Sequence, residues 1–273
     1  MAILYDQHLH TNNSGDSKAP MEEVVKSAIA KGFKGLTFTE HNDIDFPYIP
    51  GEEGMFDLNT DSYLYELIQM KEKYAGQIEL RFGVELGMQT DAFRKNAVYA
   101  KAYDFDFIIF SCHVVNGKDP YYPEFWAGRS EEEAMREYFQ CILDNIKIFH
   151  NFDVLGHLEY PIRYSENKDA NYSYEKYKDL IDQILETLVD NGNGLEINTA
   201  GIRKSNLRDV HPYNDILKRY REMGGEIVTV GSDSHVVGQE GADFDRAAKA
   251  LKDAGFDYYC TFDKRVASYH KLV

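Results

Sequence analysis

The chain has 273 residues, of which 43% are hydrophobic and 28% are charged, and its formal net charge is -16. This length fits one α/β barrel or two small domains, and the hydrophobic share is enough for a sizeable core. The negative charge disfavours nucleic acid as a partner, because binding its backbone needs clustered lysine and arginine. A small phosphorylated substrate remains compatible with it if a few arginines lie close by.

Nothing in the sequence indicates secretion or a membrane anchor. Met1–Tyr5 runs directly into the first histidine motif without a charged leader and an apolar segment. No apolar stretch approaches the ~18 residues that a membrane helix needs. The cysteines Cys112, Cys141 and Cys260 are widely spaced and form no Cys-x-x-Cys pair, which is typical of reduced thiols. We therefore expect a cytoplasmic protein that does not bind membranes.

Seven short apolar runs recur along the chain, and side chains that can bind metal follow six of them. In chain order, the runs lie at 3–5, 35–38, 80–84, 107–110, 154–155, 195–198 and 227–230. The side chains that follow are His8 and His10, His41, Glu85, His113, His157, and Asp233 and His235. The run at 195–198 has no histidine. Strands that carry polar residues at their C-terminal ends are typical of a β/α barrel with its active site on that rim.

Helical patterns separate these runs. The first helix begins at Pro20 and ends at Gly32, residues that helix termini prefer. Further helices are predicted over 61–75, 91–102, 130–149, 173–191, 212–223 and 243–254. Tyr258–Phe262 is either a weak eighth strand or an edge segment. The even alternation, without a linker, predicts a single barrel domain over residues 1–273.

The longest irregular stretches are 42–60 and 114–129, and both follow a strand that bears a candidate ligand. We expect both to hang over the active-site rim. Long loops in that place commonly serve as lids or specificity elements.

The spacing of the histidines predicts metal binding. His8 and His10 lie two residues apart on a predicted strand, so both imidazoles face one side and one ion can bind both. Asp233 and His235 have the same spacing. Glu85, at a strand end, is suited to bridging two ions, although a barrel-mouth glutamate can also pair with an arginine. Any one of these features is weak, but their coincidence at successive strand ends is specific.

Asp16 follows the first histidine pair and would by itself be a turn residue or a helix cap. Its context makes it a candidate ligand. The full set of candidates is His8, His10, Asp16, His41, Glu85, His113, His157, Asp233 and His235. One zinc or manganese ion uses only about four to six donors. We therefore expect two or three divalent ions of zinc, manganese or iron.

Four other residues are not expected to bind metal. Cys112 precedes His113 and should point to the opposite face of its strand. His150, His211 and His270 do not follow predicted strands, so we expect surface or helix-cap positions for them.

The ordered motifs resemble the polymerase-and-histidinol-phosphatase (PHP) superfamily, and within it the histidinol-phosphate phosphatases. The matching motifs are His8-Leu9-His10-Thr11, Thr39-Glu40-His41, Gly83-Val84-Glu85, Ser111-Cys112-His113, Gly156-His157 and Gly231-Ser232-Asp233-Ser234-His235. The resemblance covers essentially the whole chain. It implies a distorted (β/α)7 TIM-like barrel with a trinuclear metal centre.

The resemblance also implies how the ligands are shared. The groups are His8, His10, Glu85 and Asp233 for one ion, Glu85, His113 and His157 for a second, and Asp16, His41 and His235 for a third. Many family members have histidine in place of Asp16, so the third site departs from the pattern. Glu85 and Asp233 are the predicted catalytic carboxylates.

The activity that the resemblance implies is hydrolysis of L-histidinol phosphate in histidine biosynthesis. Clustered divalent ions neutralise phosphoryl oxygens and ionise a water near neutral pH, which then attacks phosphorus. Arginine matches the remaining phosphate oxygens. Arg163 and Arg203 lie just past predicted strand ends, at positions that resemble a phosphate clamp, although both can instead be ordinary surface arginines.

The imidazole and ammonium of this substrate must be recognised by loops. Tyr121, Tyr122 and Trp126 lie beside acidic residues in the second long loop and suit a flat ring and a cation. The alternative is a lid that merely covers the rim.

Other functions remain open on the sequence. The same barrel could hydrolyse another small phosphate ester, a nucleotide or phosphotyrosine, or act as an exonuclease of the same superfamily, which the acidic composition disfavours. A non-catalytic metal-binding module is a third reading, which the complete ligand set disfavours. The sequence does not predict the oligomeric state.

Overall fold

The barrel is built from seven parallel strands in chain order. The computed structural model describes residues 3–272, so the predictions for Met1, Ala2 and Val273 lie outside the described residues. The strands are β1 (Tyr5–Asp6), β2 (Gly35–Asn42), β3 (Glu79–Gly87), β4 (Phe107–Ser111), β5 (Val154–Leu155), β6 (Gly194–Asn198) and β7 (Val228–Gly231). The predicted distorted seven-stranded barrel is confirmed.

Backbone hydrogen bonds between the segments that follow β7 and β1 close the barrel. The amide of Asp233 donates to the carbonyl of His8 over 2.7 Å, and the amide of His10 donates to the carbonyl of Ser234 over 2.8 Å. Residues of the first and last strands therefore meet at the rim, although they are far apart in the chain.

Helices connect the strands and cover the outside of the barrel. They are α1 (Met21–Lys31), α2 (Thr60–Lys73), α3 (Phe93–Ala102), α4 (Pro123–Trp126), α5 (Glu131–Ile148), α6 (Tyr174–Asn191), α7 (Ala200–Ser205), α8 (Asn214–Glu222) and α9 (Phe244–Asp253). The predicted helices are confirmed, and the short helices α4 and α7 are additional. Gly32 and Gly192 end α1 and α6 with φ of 81° and 74°, which glycine adopts without strain. Within residues 3–272, no helix is long and apolar enough to cross a membrane.

The predicted weak eighth strand lies outside the barrel sheet. It forms β8 (Tyr258–Asp263), which pairs antiparallel with β9 (Val266–Lys271). Asp106 and Asp153 immediately precede β4 and β5, and their carboxylates accept hydrogen bonds from the Lys264 amide (3.1 Å) and the Arg265 guanidinium (2.5 Å) of the hairpin turn. The hairpin therefore closes the N-terminal end of the barrel.

Two groups of buried apolar side chains form the core. The larger packs the helices against the sheet. The smaller lies at the hairpin end and consists of Phe107, Ile109, Val154, Cys260 and Phe262. This smaller group fills the hairpin end with apolar side chains, and the C-terminal rim carries the polar ones.

Candidate metal centre

The nine candidate ligands all lie at the C-terminal rim. Seven of them are buried, namely His8, His10, His41, Glu85, His113, His157 and Asp233. His235 is half-buried and Asp16 is exposed. The strand register explains part of this convergence, since His41 on β2 is paired with Glu85 on β3.

Glu85 occupies the centre of the cluster. Its Oε2 atom lies 3.2 Å from Nε2 of His8 and 3.5 Å from Nε2 of His10. Its Oε1 atom lies 2.7 Å from Nε2 of His157 and 3.3 Å from Nε2 of His113. Each carboxylate oxygen faces a different set of imidazoles, since His41 also lies beside Oε2, and this arrangement suits a ligand shared by two ions.

Asp16, His41 and His235 form the solvent edge of the cluster. The Oδ2 atom of Asp16 lies 3.0 Å from Nε2 of His235 and 3.6 Å from Nε2 of His41. The other ring nitrogen of His41 lies 3.0 Å from Oε2 of Glu85. His41 therefore links this edge to the centre.

The polar atoms of the cluster fit divalent ions. Glu85 Oε2 and His41 Nδ1 are buried and lie 3.0 Å apart, but neither makes a hydrogen bond. The Nε2 atoms of His8 and His10 face each other at 3.0 Å. Cations between these lone pairs would satisfy them, whereas leaving them unpaired is costly. Among residues 3–272, four sets of side chains bring donor atoms within 4.8 Å of one another: His10, His41 and His235; His8, His10 and Asp233; His8, Glu85 and His157; His41, Glu85 and His113. These sets do not coincide with the three ligand groups that the family resemblance implies.

Two carboxylates outside the predicted set orient the ligands. Oε1 of Glu196, on β6, lies 2.5 Å from Nδ1 of His8, and Oδ1 of Asp43 lies 2.8 Å from Nδ1 of His113. A carboxylate on the far ring nitrogen fixes the tautomer and direction of a metal-binding histidine. Neither residue was predicted from the sequence. The β6 run has no histidine to mark it as part of the site, and Asp43 begins the long loop after β2 without a recognisable motif.

The charges around the cluster favour the metal-binding protonation states of His10 and Asp233, whereas neighbouring carboxylates raise the pKa of His8, His41 and His113. Burial, reinforced by the charges of His41 and His235, lowers the pKa of His10 well below its usual range. Burial alone would raise the pKa of Asp233, but Lys204 and Arg163 hold it well below its usual range. A neutral imidazole and an ionised carboxylate are the forms that bind metal. Asp233 also has a φ of 50°, a strained left-handed conformation for a residue other than glycine.

Arg163 lines the cavity above the cluster, as a phosphate-binding residue must. Its buried guanidinium donates to Oδ2 of Asp233 over 3.0 Å and to Oδ1 of Asn198 over 2.8 Å. The ring of Tyr160 lies 5.5 Å from the guanidinium carbon.

Arg203 does not line this cavity, whereas its neighbour Lys204 does. The guanidinium of Arg203 donates to the carbonyl of Ser232 and, over 3.1 Å, to the side chain of Gln239. The ammonium of Lys204 lies 3.2 Å from Oδ1 of Asp233. The structure thus brings Lys204 into the site and engages Arg203 with the backbone beside Asp233.

Both long loops reach the cavity, as predicted. Phe46 and Phe56 come from the first loop and Asp119 from the second, and Tyr160 and Tyr164 complete the wall beside them. The cavity therefore has an aromatic side as well as its metal-binding floor.

The aromatic residues predicted to contact substrate lie outside that wall. Tyr121 is 59% exposed. The hydroxyl of Tyr122 donates to Glu52 over 2.6 Å, and the indole of Trp126 donates to the carbonyl of Pro120 over 2.8 Å. Among residues 3–272, the cavity lining includes none of these three aromatic residues.

The prediction for His211 was wrong. Its side chain is buried, because the segment before α8 forms a β-bridge with Asn198 on β6. Neither ring nitrogen has a hydrogen-bond partner. His150 is exposed and His270 is half-buried. Cys112 contacts Cys141, with the two sulfur atoms 3.9 Å apart and no disulfide, and it belongs to none of the metal-capable sets of the described residues.

Comparisons with known proteins identify the family of this chain. The PHP domain family matches residues 6–200. A histidinol-phosphatase from Lactococcus lactis is 31% identical over 94% of this chain and 93% of its own. A histidinol-phosphatase from Bacillus subtilis is 24% identical over 86% of this chain and 95% of its own.

Solved structures share the fold. The crystal structure of histidinol phosphate phosphatase from Lactococcus lactis, complexed with zinc, L-histidinol and phosphate, has a TM-score of 0.86 at 28% identity. It covers 97% of this chain and 98% of that chain. A structure from Listeria monocytogenes has a TM-score of 0.72 at 19% identity and covers 88% of this chain and 98% of that chain. On its sequence motifs, its rim of metal-capable side chains and these matches, the chain belongs to the PHP domain family.

Proposed function

We propose that this protein is a metal-dependent phosphomonoesterase that hydrolyses L-histidinol phosphate to L-histidinol and phosphate. The observation that carries the proposal is the buried Glu85, whose two oxygens face separate sets of imidazoles, below a cavity that a buried arginine lines. The Lactococcus relatives support the substrate, because one is a histidinol-phosphatase and the solved structure contains L-histidinol and phosphate.

The nine rim residues would together hold two or three divalent ions, and eight of them belong to the metal-capable sets of the described residues, Asp16 being the exception. The zinc in the Lactococcus structure favours zinc as the metal. Such ions would supply neutralisation of phosphoryl charge and would lower the pKa of water in the site. Glu85 would be shared between ions, and Glu196 and Asp43 would keep His8 and His113 in their metal-binding tautomers.

The protein's own cations would hold the phosphate. Arg163 offers a planar pair of donors and Lys204 a point charge, and both lie beside Asp233 at the cavity. Asp233, kept ionised by these cations, would contribute a carboxylate oxygen to an ion and hold Arg163 and Lys204 in place. The predicted role of Arg203 in binding phosphate is not supported by its position. It instead holds the Ser232 carbonyl next to Asp233.

A panel of phosphate esters tests the proposal. Protein purified without chelator should contain more than one equivalent of zinc, manganese or iron. Its kcat/KM for L-histidinol phosphate should exceed the values for nucleoside monophosphates, sugar phosphates, phosphotyrosine and an aryl phosphate by at least about 100-fold. Similar values across the panel would indicate a broad phosphoesterase of the same family. No hydrolysis by metal-replete protein would support the non-catalytic reading.

A further inference from the structure

Asp119 is the carboxylate of the cavity wall that lacks a cationic partner. Asp16, Asp43, Asp119 and Asp233 line the cavity. The other three lie within 3.0 Å of a histidine or arginine nitrogen. Within residues 3–272, no lysine, arginine or histidine nitrogen lies within 4.0 Å of the Asp119 carboxylate, which accepts one hydrogen bond of 2.8 Å from the Tyr121 amide.

The surroundings of Asp119 are aromatic and negatively charged. Burial is the main cause that raises the pKa of Asp119 to about 6; the Tyr121 amide and the more distant charge of His113 lower it, and the charges of Asp43 and Glu52 raise it. Tyr160 and Tyr164 line the same cavity with their rings 5.1 Å apart. A desolvated carboxylate beside aromatic rings is a favourable environment for an organic cation.

The two charge types are placed on different parts of the rim. Arg163 and Lys204 follow β5 and β6 and both contact Asp233. Asp119 follows β4, on the side of Asp43. A ligand that lies across the floor of the cavity can therefore present phosphate to the cations and a positive group to Asp119.

We propose that Asp119 is a specificity-determining residue that pairs with the positively charged group of the substrate. The site would select phosphate monoesters that carry an ammonium or imidazolium a few bonds from the ester oxygen. This proposal rests on the proposed phosphomonoesterase function. Asp119 would bind the part of the substrate that the metal ions and Arg163 do not contact. It replaces Tyr121, Tyr122 and Trp126, which lie outside the cavity wall, in that role.

The test compares matched esters on one enzyme sample. The kcat/KM for 2-aminoethyl phosphate is divided by that for propyl phosphate, in wild type and in Asp119→Asn. Loss of one charge-assisted hydrogen bond should lower this ratio by about 10–100-fold. Any loss of folded or metal-loaded enzyme cancels from the ratio. Glu124→Gln, an exposed carboxylate in the same segment, is the control and should leave the ratio unchanged.

An unchanged ratio in Asp119→Asn would overturn the proposal. So would an equal drop in Glu124→Gln, which would point to long-range charge and not to contact. Because neither ester contains histidinol, this test does not depend on the identity of the natural substrate. Failure of wild type to prefer L-histidinol phosphate would contradict the proposed function alone.

The same variant separates the two cationic groups of L-histidinol phosphate. Its deamino analogue retains the imidazole but lacks the ammonium. A variant effect that disappears with this analogue assigns the ammonium to Asp119, and one that persists assigns the imidazolium. Both results support the proposal, whereas no effect with either compound contradicts it.

Discussion

Nδ1 of His8 lies 2.5 Å from Oε1 of Glu196, and both side chains are fully buried. The other oxygen of Glu196 accepts the backbone amide of His157 over 2.8 Å. One carboxylate on β6 therefore fixes a ligand side chain after β1 and the backbone of another ligand after β5. This makes Glu196 an organising residue of the cluster although it faces no ion itself.

Changing Glu196 to glutamine should weaken metal binding, because His8 loses the anion that orients its ring. Outer partners of this kind typically contribute about 10–100-fold in affinity. Competition with a chelator, followed by metal analysis, measures the change. Glu222→Gln on the exposed face of α8 is the control. Equal retention of metal by both variants would show that His8 does not depend on Glu196.

Changing Glu85 to glutamine should abolish turnover. The shared ligand loses its charge, and ions on its two sides would repel each other. We expect kcat to fall by more than about 100-fold, beyond the usual effect of an outer partner. Asp16→Asn, at the exposed edge, should have the smaller effect. Wild-type activity and metal content in the Glu85 variant would remove this residue from catalysis.

Lys204 and Arg203 make a matched pair for phosphate binding. Lys204→Ala should raise KM for every phosphate ester by about 10-fold, because it removes a cation from the cavity. Arg203→Ala should chiefly lower the melting temperature, since the side chain bonds to the Ser232 carbonyl and Gln239. Steady-state kinetics and thermal melts on both variants distinguish these roles. A larger KM effect in Arg203→Ala would restore the phosphate clamp predicted from the sequence.

The half-buried carboxylate of Asp119 should make stability depend on pH. Burial raises its pKa from 3.8 to about 6 in the folded chain. The folded state binds this proton more tightly, so its stabilising contribution is present below the unfolded pKa and is lost as pH rises through the folded value. Asp119→Asn should therefore melt higher than wild type at about pH 8 and nearly equally at about pH 4. The melts require metal-free protein, because bound cations would lower this pKa. A variant that is less stable than wild type at the higher pH would contradict the argument.

The barrel and its rim of ligands could be predicted from the sequence, because strand and helix patterns alternate regularly along the chain. Apolar strands ending in histidine or carboxylate place these groups on one rim whatever the details of packing. The pairing of His8 with His10 follows from the two-residue period of a strand. These features depend on local pattern, which the sequence carries directly.

Features that depend on how the elements pack in three dimensions could not be predicted from the sequence. Arg203 and Lys204 are adjacent on α7, and about 100° of helix rotation decides which one faces the cavity. Glu196 resembles any strand residue until β6 is placed beside β5 and, with only β7 between them, near β1. His211 is buried because its segment pairs with Asn198. Its spacing in the sequence contains no sign of that contact.

The closure of the barrel between β7 and β1 has a consequence for how the protein folds during its own translation. His8 and His10 emerge from the ribosome first, while Asp233 and His235 emerge near the end of translation. The ligand set that joins the first and last strands therefore cannot be complete on a nascent chain until β7 has appeared. Completion of the centre is then a late step, and a chain interrupted before residue 228 should be unable to assemble the full ligand set.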